Sequence, residues 1–125
     1  MAASSTGPTS DATGLVVFCA VPRSFDSEAL AADLVSRQLA ACVQIGPDIT
    51  SVYRWQGVIE TGAERLLIIK TSPERYRDLE DAIRQCHPYE VPEIVALPIC
   101  AGYRPYLAWL AAATANPSLD ESARS

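Results

Sequence analysis

VQIGPDITSVYRWQGVIETGAERLLIIKT, residues 43–71, decides the fold. In an extended chain Ile49, Ser51, Tyr53 and Trp55 share one side, and Val52 and Arg54 share the other. Gly46-Pro47-Asp48 interrupts the first strand and predicts a bulge or bend. Gln56-Gly57 predicts a tight reversal, and Val58 to Thr71 then returns as a second long strand. Its end, Leu66-Leu67-Ile68-Ile69, is apolar on both faces.

Working outward, Leu15 to Val21 is a nearly continuous apolar run closed by Pro22, which predicts a central strand buried on both faces. Ser24 and Asp26 offer N-caps for a helix running to about Ala40, with Leu30, Leu34, Val35 and Leu39 at helical spacing. Beyond the hairpin, Ser72-Pro73-Glu74 starts a second helix. Tyr76, Leu79, Ile83 and Cys86 form its apolar stripe, and Cys86-His87-Pro88 ends it. Val91 to Ile99 reads as a fourth strand, with Pro92 and Pro98 pointing to an edge. Arg104-Pro105 opens a short last helix carrying Tyr106, Leu107, Trp109 and Leu110. The order β-α-β-β-α-β-α is an α+β arrangement, the ferredoxin-like split βαβ with an antiparallel sheet and helices on one face. One sheet face is then left open, and long hairpin strands ending in Tyr53 and Trp55 suit burial against another subunit.

Composition sets the outer limits. The chain has 125 residues, 49% of them hydrophobic, enough for one domain with a real core. Residues 1–13 and 116–125 are poor in large apolar side chains and predict mobile tails around a domain at 14–115. Ten basic against fifteen acidic residues give a net charge of −5 without a basic cluster, which argues against nucleic acid. No secretory leader and no apolar run of spanning length is present, so the cytoplasm is the expectation, with four reduced cysteines.

VVFCAVP (16–22), LAACVQI (39–45), SVYRWQGVIE (51–60), LLIIKT (66–71), HPYEVPEIVALPI (87–99) and YLAWL (106–110) together resemble the CutA divalent-cation-tolerance family. The resemblance covers nearly the whole folded body, and HPYE-PE combined with YxWxGxIE is specific. It implies a homotrimer of ferredoxin-like subunits related to the PII signalling proteins, and a link to copper and other divalent metals. It further implies a metal site at Cys19, Cys86 and His87, where Cys86-His87 stands in place of a His-His pair. Two sulfurs and one nitrogen would favour Cu(I) or Zn over Mg or Ca.

The residues alone leave another reading open. Cys86 completes an apolar stripe, Cys19 lies in a buried strand, and His87 can cap a helix C-terminus. Cys42 and Cys100 read as packing residues. A second constellation comprises Tyr53, Trp55, Glu60, Lys70, Glu90 and Glu93. Lys70, the only lysine, could pair with Glu93 or Glu90 across an interface. Alternatively, with Tyr53 and Trp55, it could bind a small anionic metabolite in a cleft between subunits. With one histidine and no nucleophile elbow or phosphate loop, the chain reads as a binding protein, not an enzyme.

Overall fold

The computed structural model describes residues 6–8 and 12–116. In chain order they form β1 (Leu15–Pro22), α1 (Ser27–Ser36), β2 (Cys42–Trp55), β3 (Val58–Thr71), a 3-10 turn (Pro73–Arg75), α2 (Tyr76–Cys86), β4 (Ile94–Pro98) and α3 (Arg104–Ala113). The four strands make one sheet in the order β2-β3-β1-β4, and every pairing is antiparallel. The expected ferredoxin-like architecture is therefore the one observed. Most of the expected tails, 1–13 and 116–125, lie outside the described residues, although Thr13 Oγ1 donates to the Ile99 carbonyl at 3.1 Å.

The hairpin reads as its sequence predicts. Gln56 and Gly57 both take positive φ, 51° and 81°, the handedness that matches strand twist in a two-residue turn. The register slips between Ile45 and Asp48, at the interruption seen in the sequence. Gly46 is required there, because a Cβ at that position would sit 2.8 Å from the Leu66 carbonyl oxygen. Since β1 pairs with β3 only as far as Pro22 and Glu64, residues 50–63 project as a two-stranded arm.

Leu15, Val17, Cys19 and Val21 of β1 share one face with Leu67 and Ile69 of β3. They pack against Leu30 and Leu34 of α1 and Tyr76, Leu79 and Ile83 of α2. Each such aliphatic side chain contributes about 1.5–3 kcal/mol when removed from water. The opposite face is not closed: Val16 and Phe18 are half-buried, and their β4 partners Leu97 and Val95 are 56% and 52% exposed. Strand β1 is thus buried on one face within a single chain, not two.

Three boundaries differ from the sequence reading. Helix α1 ends at Ser36, short of Ala40, because Gln38 turns to φ 59° and the chain reverses. Its open C-terminus is closed by Arg75, whose guanidinium donates to the carbonyls of Gln38 at 3.2 Å and Arg37 at 3.3 Å. Strand β4 begins at Ile94 rather than Val91, since Pro92 cannot join a ladder from its nitrogen. Cys86 departs from the predicted apolar stripe: Tyr76, Leu79 and Ile83 are buried, and Cys86 is exposed.

Candidate functional site

Around the end of α2 the structure gathers the residues of the first expectation. The helix stops at Cys86, and His87 takes extended geometry with φ −70° and ψ 133°. Its imidazole is fully engaged. The Tyr89 backbone N–H donates to Nδ1 at 3.1 Å, so Nε2 carries the proton and donates to the Ala20 carbonyl at 2.8 Å. The ring is buried and flanked by Tyr89, 4.8 Å between centroids, and by Phe25 at 6.4 Å. His87 therefore pins the loop that follows α2 to β1.

Cys19 lies on the helix-facing side of β1 with no solvent exposure. Burial, then the charges of Glu93, Cys86 and Glu64, push its thiol up to about 12. Cys86 points its Sγ at the carbonyls of Ile83 and Ala82, 3.5 and 3.6 Å away, and burial raises its pKa as well. A metal ligand must offer a thiolate or a free imidazole lone pair. In this fold Cys19 holds its proton and both His87 nitrogens are taken, so the three do not form a ready donor set. Among the described residues no group of three or more His, Cys, Asp or Glu is arranged to hold a metal ion.

The second constellation divides. Tyr53, Trp55, Glu90 and Glu93 line one cleft of about 820 Å³ between the base of the arm and the loop 88–93. Glu64 and Tyr89 line it too, and neither stood out in the sequence. Cross-strand register is the signal that finds Glu64: it faces Ile49 and Pro22, on the same side as Tyr53 and Trp55. Tyr89 places its hydroxyl against the Glu64 carboxylate; burial and that contact raise its pKa to about 12.

Glu60 sits opposite Tyr53 on the arm and does not line the cleft. Lys70 pairs in register with Cys42 and Val16, ten residues along β3 from Glu60, about 33 Å away at ordinary strand rise. Its Nζ donates to Gln44 Oε1. Within one chain it therefore pairs with neither Glu90 nor Glu93, and it joins no pocket with Tyr53 and Trp55.

A ferredoxin-like sheet with one uncovered face, a projecting arm and a charged aromatic cleft define a small protein of α+β architecture. The chain belongs to the CutA1 divalent ion tolerance protein family, which matches residues 15–113. It is 47% identical over 95 residues to the divalent-cation tolerance protein CutA of Thermus thermophilus, covering 76% of this chain and 92% of that one. To the chloroplastic Protein CutA 1 of Oryza sativa it is 46% identical over 96 residues, covering 77% of this chain. There it spans only 54% of the relative's length. The crystal structure of CutA1 from Shewanella sp. SIB1 superimposes with a TM-score of 0.79 at 36% identity, covering 83% of this chain and 97% of that one.

Proposed function

We propose that this chain acts in tolerance of divalent metal ions as a homotrimer that binds rather than catalyses. The supporting observation is the apolar surface left open on one subunit. Val95 and Leu97 on the sheet, and Val52, Val58 and Ile59 on the arm, are each more than half exposed. Both β2 and β4 are sheet edges, whose unpaired backbone groups suit pairing with another copy. Against catalysis stands His87, the only histidine, whose two ring nitrogens are committed to backbone groups.

Copper, or a zinc-type ion, held by Cys19, Cys86 and His87 is the finer reading. It requires the His87 ring to release Ala20 and Tyr89, and Cys19 to give up a proton it keeps to about pH 12. Metal uptake at this corner would therefore be coupled to local opening. A cytoplasmic setting fits the four cysteines, all free. No helix among the described residues is long and apolar enough to cross a membrane. The domain at 14–115 carries the association in this reading; limited proteolysis that trims the chain to those bounds should leave it assembled.

Native mass spectrometry of the reduced protein, titrated anaerobically with Cu(I) and Zn, tests the whole reading. A trimer taking one metal per chain, with uptake lost in the Cys19→Ser, Cys86→Ser, His87→Ala variant, supports it. Uptake unchanged in that variant overturns the ligand assignment, and a monomer overturns the assembly.

A further inference from the structure

The cleft at the base of the arm has a chemistry that the metal reading does not use. Its walls carry three carboxylates, Glu64, Glu90 and Glu93, and three aromatic rings, Tyr53, Trp55 and Tyr89, with no basic side chain among the lining residues. Glu90 and Glu93 are exposed, whereas Glu64 is only 6% exposed. Its carboxylate faces the Tyr89 hydroxyl and has no ion-pair partner among the described residues. Arg23 reaches the Glu64 main chain, yet its guanidinium goes to the carbonyls of Glu64 and Ile49 and to the Asp48 carboxylate.

Among the described residues Glu64 faces a phenol and makes no ion pair, and a cationic donor bonds a carboxylate more strongly than a phenol does. Aromatic faces at the mouth, Tyr53 at 44% and Trp55 at 39% exposure, present negative quadrupoles to whatever enters. A bare metal ion gains little from such faces; an ammonium with carbon substituents gains from both the faces and the charge.

We infer that the cleft bounded by Tyr53, Trp55, Glu64, Tyr89, Glu90 and Glu93 binds a small organic ammonium ion. The head of the ligand meets Glu64 at the buried end, and its carbon groups lie against Trp55 and Tyr53. Glu90 and Glu93 on the exposed side of the cleft attract the cation and take a second positive charge where the ligand carries one. The volume, about 820 Å³, accommodates a ligand well beyond the size of ammonia.

Isothermal titration calorimetry on the full-length assembled protein tests this, with spermidine and tetramethylammonium as probes and citrate and Mg²⁺ as controls. Saturable binding of one or both ammonium probes, one per chain, is expected, with citrate silent. Glu64→Gln, whose amide oxygen still accepts from Tyr89, should weaken binding about tenfold or more. Should that variant fold poorly, Glu93→Gln, at an exposed position, should weaken it several-fold. Trp55→Leu should weaken tetramethylammonium about tenfold. The inference is overturned if neither ammonium binds at 10 mM, as when a second copy's side chain fills the cleft. It is equally overturned if Mg²⁺ binds in preference, or if spermidine binding ignores Glu64, Glu93 and Trp55, as attraction to the net charge alone would.

Discussion

The corner formed by Cys19, Cys86 and His87 and the cleft formed by Tyr53, Trp55, Glu64 and the loop 88–93 are neighbours joined through one loop, yet they are opposites. In the corner every polar group is answered: both imidazole nitrogens are hydrogen-bonded, and the buried thiol stays protonated. In the cleft, carboxylates face open volume without cations. Residue types that bind metals serve here only when the fold opens and frees their lone pairs. Carboxylates and aromatics, individually ordinary on an acidic protein, can act together when the fold gathers them around one cleft without a basic side chain in its lining.

The contrast breaks most readily at Cys19. Its pKa, up from 9 to about 12, lowers the thiolate fraction at neutral pH about a thousandfold, and its lack of exposure adds to this. Iodoacetamide under native conditions, followed by mass spectrometry, should label Cys100 and Cys86 while Cys19 stays unmodified until the protein unfolds. Labelling of Cys19 at a rate near that of Cys100 would show that the corner opens freely.

Alkaline pH sharpens the same contrast. Cys19, Tyr76 and Tyr89 all hold their protons to about pH 12 in the fold, while the unfolded chain releases them near 9 for the thiol and 10 for the phenols. The folded state then binds more protons, so stability is complete below pH 9 and falls as pH rises from 9 towards 12. Urea midpoints measured across this range should decline. Cys19→Ala should flatten the onset near pH 9, leaving the phenol portion from 10 upward.

A smaller effect tests the link between the two regions. His87→Ala leaves the Ala20 carbonyl and the Tyr89 N–H without their partners, which should cost about 1–3 kcal/mol in urea unfolding. The loop 88–93 should also loosen, seen as faster amide exchange at Tyr89. An unchanged stability with unchanged exchange would show that His87 is not the pin and return it to the list of free ligands.

Much of the fold could be read along the chain, because its determinants are local. The turn at Gln56-Gly57, the interruption at Gly46, the Pro at Pro73 and the two apolar periodicities each act within a few residues. The errors fell where a distant group takes over. Helix α1 stops early at a left-handed Gln38 whose exposed carbonyl is met by Arg75, thirty-seven residues away. Cys86 lies at the right helical spacing for the core, but the helix ends there, its residue is exposed and its Sγ turns back to the carbonyls of Ala82 and Ile83.

The candidate residues followed the same division. Tyr53, Trp55, Glu90 and Glu93 were legible as unusual polar and aromatic positions inside strong motifs, whereas Glu64 and Tyr89 were not. Lys70 drew attention as the only lysine, but strand register carries it to the other end of β3. By itself the sequence determined the element order, the hairpin and the family, since short-range sterics and side-chain periodicity are written residue by residue. Only the tertiary structure decided which groups meet: that both His87 nitrogens are hydrogen-bonded, and that Glu64 is buried at a cleft lined by no basic side chain among the described residues. Hydrogen-bond satisfaction and desolvation depend on what lies across the fold, and no spacing along the chain encodes them.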